Sequence, residues 1–167
     1  GKSGNAVAPL QDAIKKFPEE PSLKIELASA YEHQKKFADA ESMYRGLIST
    51  DPKNADALNS LGYMLAERGQ RLDESVGFAQ RALALDPGNP AYLDSLGWAL
   101  FKQGKFDVAE QPLREASDKL PSVSVIQDHF GDLLAQRGDY QEAIGVWQRA
   151  LDGDGDAITR SDVESKI

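Results

Sequence analysis

An all-α chain built from repeated antiparallel helix pairs is what this sequence predicts, on three observations. The triplets Leu61-Gly62-Tyr63, Leu96-Gly97-Trp98 and Phe130-Gly131-Asp132 recur 35 and then 34 residues apart, and Leu27-Ala28-Ser29 lies 34 residues before the first. Around each triplet, apolar residues recur at helical spacing in runs of about fourteen residues broken by polar turns. Each pair of runs then meets a stop, Asp51-Pro52, Asp86-Pro87 or Leu120-Pro121, because proline cannot continue a helix. A fixed period of this length means that one unit cannot bury its apolar face alone and must stack on its neighbours, giving a solenoid rather than a globule around one pocket. Such a shape favours binding over catalysis.

The elements follow in order within a single domain, 1–167. Ala6, Leu10, Ala13 and Pro18 continue the repeat register upstream, so 5–17 reads as the second helix of a unit whose first helix is missing, and the natural protein is expected to be longer. The first full repeat spans 21–52 and closes its inter-helix turn at Lys35-Lys36 without glycine. The second, 55–87, has Arg68-Gly69 at the end of its first helix; Gly104 and Gly138 hold the same turn in the third repeat, 90–121, and the fourth, 124–155. Glycine there supplies a left-handed helix cap. Aligning Gly69-Gln70-Arg71-Leu72-Asp73 with Gly104-Lys105-Phe106-Asp107 leaves one extra residue in the second repeat's turn, predicted to face solvent. The fourth repeat has Gly155 where the others have proline. Ser161-Asp162-Val163-Glu164 reads as a capping box opening a cap over 156–167, with Val163 and Ile167 covering the last helix pair and solubilising it.

Composition narrows the function class. The formal charge of −8 and isoelectric point near 4.8 argue against nucleic acid, whose affinity for proteins comes largely from Lys and Arg on its phosphates. The absence of cysteine removes disulfides, thiol catalysis and cysteine metal sites without fixing a compartment. No run approaches the ~18 apolar residues of a membrane helix, so no direct membrane insertion by this segment is expected.

In the third unit Leu93, Leu96, Gly97, Leu100, Ala109, Leu113, Ala116 and Pro121, and in the second Leu58, Leu61, Gly62, Leu65, Ser75, Ala79, Ala82 and Pro87, resemble the signature of the tetratricopeptide repeat. The resemblance covers nearly the whole chain and departs at Lys24 and Gln127, which stand where a large apolar residue belongs. It implies a right-handed superhelical solenoid of about four repeats plus an N-terminal half-repeat and a C-terminal capping helix, with a concave groove that binds proteins. The runs Leu58 to Arg68, Tyr92 to Trp98 and Val146 to Leu151 are also similar to a set of bacterial members, several of them exported and membrane-associated through an N-terminal lipid anchor.

Taking the shared small residue as zero, positions −1 and +3 hold Leu27 and Tyr31, Leu61 and Leu65, Leu96 and Leu100, Phe130 and Leu134, all read as core. Positions −3, +1 and +4 form a second stripe on the same helix, which by resemblance lines the groove. Its candidate binding residues are Asn59, Tyr63, Asp94, Trp98, Phe101, Asp128 and Asp132. Aromatics bordered by carboxylates suit an apolar, basic segment, since aromatics bury area at low entropic cost and carboxylates select Lys or Arg. The competing reading is that these aromatics plug the interior of the superhelix and that the acidic residues form a solvated face. The carboxylate clamp of some family members, built from Lys and Asn, is matched by Asn59 alone.

No enzyme is nominated, and no cofactor or metal is expected. His33 and His129 lie almost three repeats apart and read as surface or groove-edge residues that cannot share a metal. Asp152-Gly153-Asp154-Gly155-Asp156 begins like a calcium loop, but Ala157 replaces its turn glycine and Val163 its bidentate Glu. Gly1-Lys2-Ser3 resembles the tail of a phosphate loop without its upstream glycine or strand. The leading expectation is an adaptor binding a peptide or unstructured segment. The alternatives are a structural module that self-associates through open ends, where Leu10, Ile14 and Phe17 leave an apolar side, and a targeting arm of a larger enzyme.

Overall fold

Caps, prolines and left-handed turn residues divide the chain into helices joined by short turns. The computed structural model describes residues 6–167, among which there is no strand; the Gly1-Lys2-Ser3 run and Asn5 lie outside the described residues. Among the described residues ten helices follow one another: α1 (Val7–Lys16), α2 (Pro21–His33), α3 (Phe37–Thr50), α4 (Ala55–Glu67), α5 (Leu72–Leu85), α6 (Pro90–Lys102), α7 (Phe106–Lys119), α8 (Ser124–Arg137), α9 (Tyr140–Asp152) and α10 (Arg160–Glu164). The described residues contain no helix long and apolar enough to cross a membrane. Two compact units result, one ending at Leu61 and the other running from Gly62 to Ile167, so the boundary falls inside α4.

In the first unit α2 packs on both α1 and α3. The buried residues of this pair are Leu27, Ala28 and Ala30 of α2 and Ala40, Tyr44 and Leu47 of α3. The Tyr44 hydroxyl donates to Glu32 at 2.7 Å, and burial, then the neighbouring Glu32 charge, pushes its ionisation well above the usual phenol range. The turn that lacks glycine is closed by Lys35, whose φ of 60° puts a side-chain-bearing residue in the left-handed region. Asn54 caps α4 by accepting from the Ala57 amide at 2.9 Å. Helix α1 has no buried residue, and Phe17 just beyond it is 58% exposed.

In the second unit α5, α6, α7, α8 and α9 pack each on the next, and α10 packs on α9. Within each helix pair the repeated small residue is where two helices meet. A Cβ on Gly97 would come within 2.5 Å of Leu113, and one on Gly131 within 2.5 Å of Trp147, so only hydrogen lets these helices approach. At Gly62 the same closeness is fastened by Ser75, whose hydroxyl donates to the Gly62 carbonyl at 2.6 Å. The core positions Leu65, Phe130 and Leu134 are buried, whereas Leu96 and Leu100 are partly covered. Gln127, which departs from the apolar pattern, is fully buried and saturated: it donates to the carbonyls of Ser117 and Leu120 and accepts from the Ser117 hydroxyl and Arg149.

The extra residue of the second repeat is Arg71, exposed and left-handed at φ 45°, immediately before α5. Helix α7 runs unbroken through Pro112, which is buried and leaves the Val108 carbonyl without its helical donor. At the C-terminal end the expected capping box does not form. Helix α10 begins at Arg160 after Thr159, which makes no side-chain cap, and Glu164 pairs with Arg160 at 3.0 Å. Because the helix starts before Ser161, that serine lies inside the first turn and cannot act as its cap. Val163 is buried, but Ile167 remains 48% exposed. The Asp154 loop staples the start of α8: its carboxylate accepts from the amides of Ser124 and Asp156, and these backbone donors hold it below the usual carboxylate range.

Candidate protein-interaction face

The stripe of groove positions in the second unit is built by the last turns of α4, by α6 and by α8. Trp98, in the middle of α6, is only 7% exposed. Its ring stacks on Phe101 at 4.9 Å and on His129 at 3.9 Å between centroids, and the Lys102 ammonium lies 4.9 Å from its centre. Its indole Nε1 donates to Glu67. Trp98 is thus the floor of this face, while Tyr63 and Phe101 stay half-buried at its surface. The spacing explains the stack: Trp98 and Phe101 are three residues apart on one helix and share a face.

Asp94 and His129 are the buried ionic pair beneath that floor. The His129 Nδ1 lies 3.0 and 3.1 Å from the two Asp94 oxygens, and its Nε2 lies 3.9 Å from Glu67. Both residues are 4% exposed, so the reading of His129 as a surface or groove-edge residue is corrected. The indole stacked on the His129 ring and the carboxylate bonded to its Nδ1 offset part of the cost of burying it. Burial lowers its basicity, but Asp94 first, then Glu67 and Asp128, outweigh that and raise its pKa above 6.5. Asp94 therefore offers no free charge to a partner.

Asp128 and Asp132, one turn apart on α8, converge on Lys166, whose ammonium reaches them at 2.7 and 2.6 Å. Asp132 also accepts from the Trp147 indole at 3.1 Å, and Lys166 lies 5.8 Å from the centre of that ring. Burial raises the Asp128 pKa against the opposing pull of Lys166. For Lys166 burial opposes the charge, but its bonds to the two carboxylates prevail and raise its pKa. A shallow depression of about 300 Å³ lies here, lined by Phe101, Asp132, Ala135, Gln136, Trp147 and Lys166.

The structure therefore brings together Tyr63, Asp94 and Trp98 around His129, with Phe101 stacked on Trp98, and Asp128 with Asp132 around Lys166. Asn59 belongs to the first unit, where its Oδ1 is buried without a hydrogen-bond partner. Glu67, His129, Trp147 and Lys166 complete the face and were not singled out as its members from the sequence. A signal existed for two of them, since Asp94 and His129 stand 35 residues apart and Asp132 and Lys166 stand 34 apart. One repeat of separation places Asp94 and His129 on the equivalent helices α6 and α8, and it brings Lys166, just beyond α10, to Asp132 of α8.

Comparison with known proteins agrees with this architecture. The tetratricopeptide repeat family model matches residues 1–47, 34–90 and 95–158. TPR repeat-containing protein PA4667 of Pseudomonas aeruginosa is 36% identical over 123 residues, 74% of this chain and 21% of that protein. Cellulose synthase operon protein C of Pseudomonas fluorescens is 29% identical over 159 residues, 92% of this chain and 10% of that protein. The chain thus spans about a fifth and a tenth of these relatives' lengths. Among solved structures, a thermophilic TPR protein of Thermus thermophilus superposes with a TM-score of 0.83 at 19% identity, over 99% of this chain and 91% of that one. PilF of Pseudomonas aeruginosa superposes with a TM-score of 0.72 at 22% identity, over 92% and 69% respectively. These structural likenesses carry the fold, and the family match carries the membership: on its recurring small residues, its helix pairs and its match along nearly the whole sequence, the chain belongs to the tetratricopeptide repeat family.

Proposed function

We propose that this chain is a protein-interaction scaffold that holds an extended, apolar and basic segment of another protein against the face carried by Tyr63, Asp94, Trp98, Phe101, Asp128 and Asp132. Tetratricopeptide repeats generally mediate contacts between proteins, and the chemistry of this face narrows the partner. The observation that carries the reading is the depression beside Phe101 and Trp147, in which an ammonium, that of Lys166, is already accommodated by two carboxylates. A lysine or arginine of a partner meets the same chemistry there, while Tyr63 and Phe101 offer aromatic surface to its apolar neighbours. Trp98 supports Phe101 from below, and Asp94 acts through His129 as part of the scaffold. Asn59, in the other unit, is no part of this proposal.

The test is an array of extended peptides with apolar and Lys or Arg positions, probed with the full chain, followed by titration of the strongest binder against variants. An aromatic anchor contributes about 2 kcal/mol or more, so Phe101→Ala should weaken that peptide roughly 30-fold with helicity unchanged. Equal affinity of the variant counts against the face. A second reading, a module that stacks on further repeats or a second copy, is supported by α1, which buries no residue and is followed by the exposed Phe17. Light scattering that finds a monomer at all concentrations removes its self-associating form.

A further inference from the structure

Glu67 touches two residues of this face at once. It accepts the indole hydrogen of Trp98 and stands 3.9 Å from the His129 Nε2, and its own side chain is 46% exposed, so solvent is open to it as an alternative. The other groups facing His129 are fixed by their own elements. Asp94 of α6 holds Nδ1, the Tyr63 ring of α4 stands at 6.0 Å, and Asp128 on α8 is compensated by Lys166. Lys102 lies over the Trp98 ring.

We infer that Glu67, His129 and Trp98 form a proton-controlled latch, in which the imidazolium holds Glu67 on the indole N–H of Trp98 and loss of its proton releases Glu67 and loosens Trp98. With His129 charged, both ring nitrogens carry hydrogen: Nδ1–H serves Asp94 and Nε2–H is turned to Glu67. When the proton leaves to solvent, the buried Asp94 carboxylate keeps the remaining hydrogen on Nδ1, because a carboxylate selects the tautomer that donates to it. A lone pair on Nε2 then faces the Glu67 carboxylate. An electron pair and a carboxylate facing each other at 3.9 Å repel, and the exposed Glu67 side chain moves to water, taking the acceptor of Trp98 with it. Because Trp98 is the floor on which Phe101 stacks, the aromatic surface is firmer at acidic than at alkaline pH. The inference concerns the wall itself and is read without a partner, so its failure is separate from that of the peptide-binding proposal.

The experiment follows the two histidine and two tryptophan side chains of the full chain by NMR across a pH titration, with His33 as the exposed control and Trp98→Phe to assign the indole signal. The expected result is one midpoint, above pH 6.5, shared by the His129 ring and the Trp98 indole N–H. The Trp98 movement is lost in His129→Gln. In Glu67→Gln the His129 ring still titrates, but Trp98 no longer follows it. An indole signal that stays still through the His129 midpoint overturns the latch, as does one that moves unchanged in either variant. If His129→Gln loses its circular dichroism, Glu67→Gln, a change at a half-exposed side chain, decides alone.

Discussion

Two glycines fourteen residues apart in sequence make opposite predictions, and the difference is a matter of ångströms. A Cβ at Gly131 meets Trp147 at 2.5 Å, whereas a Cβ at Gly145, inside α9, meets nothing within 4 Å. Alanine in a helix interior is about 1 kcal/mol better than glycine, so Gly145→Ala should raise the melting temperature. Forcing a methyl into a packed contact costs about 1–3 kcal/mol, and the ring it displaces also loses its bond to Asp132, so Gly131→Ala should lower it. Thermal denaturation of the two variants checks both signs. His129 makes the other prediction at this scale. Its native pKa is raised above its ordinary 6.5 by Asp94, Glu67 and Asp128 against burial, so folding favours the charged ring. The stability this contributes is complete below pH 6.5 and is lost as pH climbs through the raised native value. The urea midpoint should therefore fall across that window in the wild type and lose that fall in His129→Gln. Sequence patterning marked Gly131 as the recurring small residue of its triplet but placed His129 at the surface or groove edge. One chain position does not reveal that a carboxylate one repeat earlier and an indole four residues beyond that carboxylate enclose it.

Helices were legible because their signals are local: α3, α5 and α7 end at or just before the Asp51-Pro52, Asp86-Pro87 and Leu120-Pro121 stops, and Gly69, Gly104 and Gly138 take left-handed φ at helix ends. The turn at Lys35 had to close without glycine, and it does so at φ 60°, a conformation costing a side-chain-bearing residue roughly 1–2 kcal/mol. Lys35→Gly should recover part of that, less the entropy of a freer unfolded chain, and urea denaturation should show a small gain or no loss. The capping box at Ser161 failed for a reason equally local: its four-residue pattern was present, but α10 had already begun at Arg160. Gln127 illustrates what periodicity alone misses. It breaks the apolar pattern of α8, yet it joins α7, α8 and α9 through Ser117, Leu120 and Arg149. Gln127→Leu restores the family pattern but strands those buried partners, and an unpaired buried polar group costs about 1–3 kcal/mol. The variant should be destabilised despite its better match to the repeat, and adding Ser117→Ala should return part of the loss.

For the whole molecule, charge is the property that a partner meets first. The chain carries 27 acidic against 19 basic residues, and this excess steers cationic segments towards it and away from acidic competitors. At the proposed face much of the local charge is already engaged: Asp94 by His129, and Asp128 and Asp132 by Lys166. The sequence listed the carboxylates but not their internal partners, because the partners come from other repeats and from the segment after the last helix pair. Two contributions to binding therefore separate. The long-range field is screened by salt, with a Debye length near 10 Å at 0.1 M and 3 Å at 1 M, whereas aromatic contact at Phe101 is not. On the peptide-binding proposal, association of a basic peptide should slow markedly between low and high salt, while the Phe101→Ala penalty, taken as a ratio to wild type at each salt concentration, stays constant. Lys166→Ala supplies the complementary measurement, since it frees the two carboxylates and leaves the Phe101 and Trp147 side chains in place. Its peptide affinity should rise at low salt and approach the wild-type value as salt increases. Surface plasmon resonance over a salt series reads all three quantities, and a Lys166→Ala variant that binds more weakly than wild type at low salt would show that this lysine supports the face rather than competing for it.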